Sequence, residues 1–210
     1  MALFTLKNVN YLNILHYPDL SIPADKATFL CGESGVGKST LLRLLNGTLS
    51  PTTGEISYLD KPIEDYDPIS LRRDVLLVGQ SVYLFDLSIE DNFKEYYSYR
   101  DLPAPSVETM QTYLDLCALP LPLDSMCNLL SGGERQRVFL AIHLSLQPKV
   151  LLLDEPSSAL DEKTAETVLG NIKTHCGTKK ITLIVVSHDK GLAARYADDI
   201  IVLTGVQTDA

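Results

Sequence analysis

Residues 32–39 read Gly32-Glu33-Ser34-Gly35-Val36-Gly37-Lys38-Ser39 and match the pattern G-x-x-x-x-G-K-[ST] at every fixed position. An apolar run at 28–31 leads into this stretch. Leucines at 41, 42, 44 and 45 predict a helix from Lys38 to Leu45, which Gly47 ends. A glycine-rich turn between a strand and a helix leaves backbone N–H groups open toward an anion. The stretch therefore predicts an α/β fold that binds phosphate at this turn, with a purely structural tight turn as the alternative.

The residue types in this turn have distinct predicted tasks. The backbone of the stretch from Gly32 through Thr40 would surround the β-phosphate of a nucleotide. The Lys38 ammonium would supply positive charge to the β- and γ-phosphates, and the Ser39 hydroxyl would ligate Mg²⁺. The turn thus predicts a site for a nucleoside triphosphate with its metal ion.

A second glycine-rich turn leads into a helix at Ser131-Gly132-Gly133-Glu134-Arg135-Gln136. Ser131 is a predicted helix N-cap, and Glu134 three residues later completes a capping box. Gly132 and Gly133 leave the N–H groups of the first turn uncovered, so this corner can also bind phosphate. Two such corners in one chain predict a nucleotide held from two sides.

Apolar strands alternate with helical segments along the chain, which is typical of a mainly parallel sheet covered on both faces. The predicted strands occupy residues 4–11, 14–22, 28–31, 55–59, 75–79, 150–154, 181–187 and 200–203. The segment 55–59 alternates as an edge strand does. A helix is predicted to begin near Asp161.

Residues 82–147 are predicted to form a mostly helical insertion, because no strong strand pattern occurs in their middle. Ser106 can cap a helix whose buried face would consist of Val107, Met110, Leu114 and Cys117. The last helix of the insertion is predicted over residues 134–146, before Pro148.

Four of the predicted strands end at residues that suit a nucleotide site: Gly32, Gln80, Asp154-Glu155 and His188. Because ligands of open α/β sheets lie beyond the carboxyl ends of the strands, we expect these residues to converge. Asp154 is suited to hold Mg²⁺, and the Gln80 amide to join it and to orient water. Glu155 can take a proton from the attacking water, and His188 can donate a hydrogen bond to a γ-phosphate. Ordinary polar residues at strand ends are the alternative.

Composition limits the class of protein. The 210 residues are 45% hydrophobic and 21% charged with a net charge of −9, which argues against a nucleic-acid partner. The four cysteines form no C-x-x-C pair, which argues against a metal or disulfide site. No apolar run approaches the roughly eighteen residues that span a bilayer, and no basic region precedes the apolar N-terminal residues. Any membrane span is therefore expected from another polypeptide.

The motifs together resemble the nucleotide-binding domain of ABC-type ATPases along essentially the whole chain. Residues 130–137 read Leu-Ser-Gly-Gly-Glu-Arg-Gln-Arg, which matches the signature sequence of that family. The order of the other segments also agrees: Walker A at 32–39, Q-loop at Gln80, Walker B at 150–155, D-loop at 158–161 and H-loop at His188. The resemblance implies one domain over 1–210, a P-loop NTPase with a core at 1–81 and 148–210. The core would carry an N-terminal antiparallel β-subdomain, and the helical subdomain would occupy 82–147.

The resemblance also implies partners. Two such subunits, identical or different, would form a head-to-tail dimer with two ATP molecules in the interface. Each ATP would meet the Walker motifs of one subunit and the stretch Ser131-Gly132-Gly133 of the other. A membrane-spanning permease subunit would hold the dimer on the cytoplasmic face of the cell membrane. An aromatic ring usually stacks on the adenine in this family. Tyr11 is assigned to this role here, with Tyr17 as the alternative.

Several alternatives stay open at this stage. The chain could be a soluble ABC ATPase in cofactor assembly or another cytosolic process, or a nucleotide-binding regulator without catalysis. The apolar cluster Tyr83-Leu84-Phe85 could dock the membrane partner or pack in the helical subdomain. The phrases at 8–12, 148–155 and 187–190 resemble bacterial iron-export subunits of the family, but they fix no transported substrate.

Overall fold

The computed structural model describes residues 1–204, which divide into two compact units. The first contains Met1–Leu77, Pro148–Glu155 and the residues from Cys176 onward. The second contains Val78–Gln147 and Pro156–His175. Residues 156–175, which the sequence places in the core, group here with the helical residues of the second unit.

Four strands open the chain, and three α-helices follow one another in its middle without an intervening strand. The strands are β1 (Ala2–Tyr11), β2 (Leu15–His16), β3 (Leu20–Pro23), β4 (Ala27–Cys31), β5 (Thr53–Tyr58), β6 (Lys61–Pro62), β7 (Val75–Val78), β8 (Val150–Asp154), β9 (Thr182–Val186) and β10 (Asp199–Val202). The α-helices are α1 (Lys38–Leu45), α2 (Pro68–Asp74), α3 (Ile89–Ser98), α4 (Val107–Leu116), α5 (Gly132–Ser145), α6 (Glu162–Lys179) and α7 (Lys190–Tyr196). None of the helices within residues 1–204 has the length and apolar character needed to cross a membrane.

An antiparallel sheet in the order β2-β1-β5-β6, with β3 also paired to β1, forms the N-terminal part of the first unit. The predicted single strand over 14–22 is wrong, because Pro18 follows Tyr17 between β2 and β3 and has no N–H for the ladder. The predicted edge position of 55–59 is also wrong. Leu59 and Asp60 both have positive φ, so the chain reverses in a tight turn and β6 pairs antiparallel with β5. The strand β5 therefore lies between β1 and β6.

A second sheet has the order β10-β4-β9-β8-β7. The pairs β10–β4, β4–β9 and β9–β8 are parallel. Every residue of β8 and β9 is buried, which explains why their sequences are continuous apolar runs rather than alternating ones. The parallel pairing places the carboxyl ends of β4, β8 and β9 at one edge of the sheet.

Helix α1 occupies the predicted residues and packs four leucines into the core of the first unit, at 41, 42, 44 and 45. Each fully buried leucine contributes roughly 2 kcal/mol of hydrophobic stabilisation. At the C-terminus, Gly47 adopts a φ of 67° and its N–H donates to the Leu44 carbonyl. Glycine adopts this conformation at the end of a helix with less strain than residues that carry a Cβ.

In the second unit, α3 and α4 pack against α5. Ser106 caps α4 as predicted, since its hydroxyl accepts a hydrogen bond from the Thr109 N–H. Met110, Leu114 and Cys117 are buried, but Val107 is 60% exposed, so the predicted buried face begins one turn too early. Residues of the first helical turn lie at the rim of the packed surface.

His143 of α5 is buried, and burial lowers its pKa to about 4. The ring Nδ1 lies 2.7 Å from the Phe139 carbonyl oxygen, which can only accept, so Nδ1 carries the proton of the neutral ring. An unfolded histidine has a pKa near 6.5. As the pH falls, the unfolded chain therefore takes up a second proton on this ring before the folded protein does. The contribution of His143 to the free energy of unfolding is complete above about pH 6.5 and declines as the pH falls toward 4.

We expect His143→Gln to remove this pH dependence. Between about pH 6.5 and 4, the titration of His143 should lower the free energy of unfolding of the wild type by roughly 3 kcal/mol. Urea unfolding at a series of pH values measures it, with His16→Gln at an exposed position as the control. A stability difference between wild type and His143→Gln that stays constant over this pH range would contradict the assignment.

Candidate functional site

The phosphate-binding turn predicted at 32–40 connects β4 to α1 in the first unit. Gly32 has a φ of 150°, and a Cβ there would collide with the Leu203 carbonyl oxygen, so the backbone requires glycine. Gly37 is the N-cap of α1, and no side chain caps this helix. The first N–H groups of α1 have no partner within the helix and carry partial positive charge, which suits an anion.

The Lys38 side chain folds back over the turn. Its ammonium donates to the carbonyl oxygens of Gly32 at 2.9 Å and Glu33 at 2.7 Å, and the residue is only 5% exposed. These two hydrogen bonds compensate for removing the charge from most of its water. The turn thus holds a positive charge beside its own open N–H groups.

Ser39 and Asp154 form the second part of the site. The Ser39 hydroxyl donates to Asp154 Oδ1 at 2.9 Å, joining α1 to the end of β8. Burial raises the pKa of Asp154, the Ser39 hydrogen bond lowers it, and the neighbouring Glu155 charge raises it. A buried carboxylate beside a hydroxyl fits Mg²⁺, which takes few protein oxygens and fills its other positions with water and phosphate oxygens. The predicted metal ligands Ser39 and Asp154 are therefore in contact.

Glu155 and His188 form the third part. His188 Nε2 lies 2.9 Å from Glu155 Oε1, and both side chains are partly exposed. Glu155 has a φ of 52°, and its N–H donates to the carbonyl of Val186 at the end of β9. The left-handed conformation costs a non-glycine residue about 1 kcal/mol. This backbone position directs a carboxylate, next in sequence to Asp154, toward an imidazole at the neighbouring strand end.

Of the four strand ends predicted to converge, three lie in the first unit, at Gly32, at Asp154-Glu155 and at His188. Gln80 belongs to the second unit, where it is exposed just beyond β7. Its role as a metal ligand stays a prediction.

The second glycine-rich turn begins α5 as the sequence predicts. The Ser131 N–H donates to Glu134 Oε2 at 2.8 Å, and the Glu134 N–H donates to the Ser131 hydroxyl at 3.4 Å. Both hydrogen bonds of a capping box are thus present. The hydrogen bonds that the Ser131 hydroxyl and N–H donate to the Glu134 carboxylate lower the pKa of Glu134. Ser131 and Gly132 are exposed, so this corner is open to a second molecule.

Gly133 and Gln136 connect this corner to the predicted D-loop. A Cβ on Gly133 would lie 2.9 Å from the Ala159 carbonyl oxygen, and only glycine avoids that contact. The Ala159 N–H donates to Gln136 Oε1 at 3.3 Å. The first turn of α5 therefore lies against the D-loop segment within the same unit.

The two tyrosines considered for adenine stacking differ in their surroundings. Tyr11 ends β1, is half-buried and packs on the core of the first unit. Tyr17 is 6% exposed, and its hydroxyl donates to the Gly37 carbonyl at 2.8 Å. Tyr17 is thus enclosed against the phosphate-binding turn and is not free to stack on a base. No local sequence pattern predicts this contact, which joins residues twenty positions apart.

Three comparisons with known proteins agree with this geometry. The family model described as ABC transporter matches residues 15–158. The nickel import ATP-binding protein NikO of Rhodobacter capsulatus is 37% identical over 95% of this chain and 82% of its own length. The Escherichia coli protein named "Probable iron export ATP-binding protein FetA" is 35% identical over 96% of this chain and 91% of its own length. The spermidine/putrescine import ATP-binding protein PotA of Borreliella afzelii is 35% identical, and this chain spans 55% of its length.

Solved structures give the same result for the fold. The dimeric bacterial ABC transporter cassette MJ0796 superposes with a TM-score of 0.83 at 29% identity, covering 96% of this chain and 94% of that one. CbiO1 of Clostridium perfringens, part of the complex cbiONQ, has a TM-score of 0.83 at 27% identity, covering 98% and 87%. The predicted P-loop NTPase fold class is confirmed. Similarity to FetA confirms the resemblance to iron-export subunits, while similarity to import proteins singles out no substrate.

Proposed function

Because this chain belongs to the ABC transporter family, we propose that it is the ATP-hydrolysing subunit of a transporter and acts through separate membrane-spanning subunits. The relatives that it covers almost fully are named as ATP-binding proteins of import and export systems. One observation carries the proposal: the hydrogen-bonded pairs Ser39–Asp154 and Glu155–His188 adjoin in one unit that also holds the phosphate-binding turn. A base, a positive charge and a metal-binding pair are what phosphoryl transfer to water requires.

The proposed reaction is the attack of a water oxygen on the γ-phosphorus, as the bond from phosphorus to the β–γ bridging oxygen breaks. Glu155 accepts a proton from the water, and ADP leaves with the electron pair of the broken bond. Lys38 balances the charge on the β- and γ-phosphates. When ATP is bound, His188 would donate its Nε2 hydrogen bond to a γ-phosphoryl oxygen in place of Glu155 Oε1, its partner in this structure. When bound, Mg²⁺ would neutralise charge on the same phosphates, and Ser39 and Asp154 are the residues that we propose to hold it.

We propose that two subunits associate head to tail, so that Ser131, Gly132 and Gly133 of one contact the ATP carried by the other. The exposure of this corner and the capping box that fixes its backbone support this assignment. MJ0796, which covers this chain almost completely, is described as dimeric. The arrangement would let ATP join two subunits and hydrolysis release them.

The remaining proposals concern organisation. We propose that the two compact units correspond to the nucleotide-binding core and the helical subdomain of the family. The permease partner would hold the dimer on the cytoplasmic face of the cell membrane. Relatives named for nickel, iron and polyamines support a transport role but leave the substrate and its direction open.

The aromatic segment after Gln80 is our candidate for the permease contact. Tyr83 is 63% exposed and its ring packs edge-on against Phe85, whereas Leu84 between them is buried. We expect Tyr83→Asp to abolish co-purification with the permease while the affinity for ATP changes less than about twofold, because a charge would face an apolar partner surface. Tyr99→Asp is the matched control, as an equally exposed tyrosine whose ring also contacts Phe85. If the Tyr83 variant co-purifies with the permease as the wild type does, the proposal that this segment contacts the permease is wrong.

Phosphate release from ATP by the purified protein, alone and with its co-purified partners, tests the proposal. ATP-dependent release of phosphate together with a polytopic membrane protein in the complex is expected. Hydrolysis with only water-soluble partners would favour an ABC ATPase in a cytosolic process instead. ATP binding without any release would favour a nucleotide-binding regulator.

A further inference from the structure

Tyr17 connects the antiparallel sheet to the phosphate-binding turn. Its N–H donates to the Val9 carbonyl of β1 at 2.9 Å, which fixes its backbone to the longest strand of that sheet. Its hydroxyl donates to the Gly37 carbonyl at 2.8 Å. The Thr40 side chain lies close enough to this hydroxyl to lower its pKa in part, against the larger effect of burial. One buried side chain thus contacts both the N-cap and the first turn of α1.

The contact is tightly enclosed. A Cβ on Gly37 would lie 2.7 Å from the Tyr17 hydroxyl oxygen and 2.9 Å from Leu15 Cδ1, so Tyr17 and Leu15 close against the last glycine of the turn. Burial raises the pKa of Tyr17, which keeps the hydroxyl protonated as a donor at neutral pH. The Gly37 carbonyl also accepts the Leu41 N–H at 2.8 Å, the first hydrogen bond of α1. Its oxygen therefore uses both of its lone pairs.

We infer that Tyr17 is a positioning residue for nucleotide binding, which holds the start of α1 where its open N–H groups meet the phosphates. The inference rests on the proposed function, because it assumes that this turn binds the phosphates of ATP. The turn cannot be capped by its own side chains without covering the N–H groups that a phosphate needs. The Tyr17 hydroxyl instead binds the carbonyl oxygen of the peptide between Gly37 and Lys38, and so leaves the N–H groups of the turn open.

A positioning tyrosine and a purely structural tyrosine would affect ATP binding and the chemical step differently. Tyr17 touches the carbonyl of Gly37 and not the groups predicted to react, so its loss should weaken the binding of ATP and leave the chemical step unchanged. KM should rise while kcat stays the same. A tyrosine that only filled the core would lower stability and leave both constants of the folded protein unchanged.

Tyr17→Phe removes the hydroxyl and keeps the ring. We expect the Kd for ATP and for ADP and the KM for ATP to rise roughly fivefold, the effect of one neutral hydrogen bond, with kcat changed less than about twofold. Hydrogen exchange of the ligand-free protein should be faster at the Leu41 amide, whose acceptor is the same carbonyl.

Tyr58→Phe is the matched control, because Tyr58 is a buried tyrosine of the same unit whose hydroxyl has no hydrogen-bond partner among the described residues. It should leave Kd, KM and the Leu41 exchange rate unchanged. Equal ATP affinity of Tyr17→Phe and wild type would overturn this inference alone. A wild type that binds no ATP would overturn the proposed function and this inference with it.

Discussion

Replacing Glu155 with glutamine is expected to slow ATP hydrolysis by about 10²- to 10⁴-fold while ATP still binds. The amide has nearly the same size as the carboxylate, and its oxygen can still accept a hydrogen bond from His188, whose Nε2 lies 2.9 Å from Glu155 Oε1. It cannot take a proton from water. Because Lys38 and the open N–H groups of the turn are untouched, the Kd for ATP should change less than about threefold.

Single-turnover phosphate release and ATP titration measure the two quantities separately. Glu64→Gln is the matched control, since it makes the same change at an exposed position of the same unit and should leave both quantities unchanged. Full hydrolysis by Glu155→Gln would refute the role of Glu155 as the base. A rate that fell only in step with ATP affinity would count equally against it.

The second large effect concerns the contact between subunits. With hydrolysis slowed by Glu155→Gln, ATP should drive the protein into a stable dimer. Adding Ser131→Arg to this variant should weaken the dimer at least roughly thirtyfold, because a bulky unpaired charge would face the partner's nucleotide site. Binding of ATP to the monomer should persist, since Ser131 contacts the nucleotide of the other subunit in the proposed arrangement. Sedimentation with and without ATP measures the dimer.

Ser106→Arg in the same Glu155→Gln background is the control. Ser106 is also an exposed N-cap serine in the second unit, so both changes remove a helix cap worth about 1 kcal/mol and add the same side chain. The Ser106 variant should still dimerise with ATP. Equal dimerisation of the two variants would contradict the head-to-tail contact through residues 131–133.

The sequence was sufficient wherever a short pattern determines a local structure. The run of leucines after Lys38, closed by Gly47, predicted α1 with its observed ends. The capping box at Ser131 predicted the start of α5, and the apolar run at 150–154 predicted β8. The pairs at the strand ends followed because parallel strands place their carboxyl ends together.

Features that depend on distant contacts were not predictable in this way. The hydrogen bond from the Tyr17 hydroxyl to the Gly37 carbonyl joins residues twenty positions apart, and no local pattern records that partner. The position of β5 inside the sheet, rather than at its edge, depends on the return of the chain into β6, which needs positive φ angles at Leu59 and Asp60, neither of which is glycine. Exposure of Val107 depends on where the packed surface of the second unit ends.

The backbone of Glu155 has a consequence for the evolution of this protein. Glu155 has a backbone conformation that glycine would adopt at lower free-energy cost. Stability would therefore favour glycine at this position, whereas the proposed hydrolysis requires the carboxylate. Selection for a sturdier protein alone would favour losing the residue that we assign to chemistry. Glutamate at this position is therefore explained by the proposed chemistry and not by the stability of the backbone.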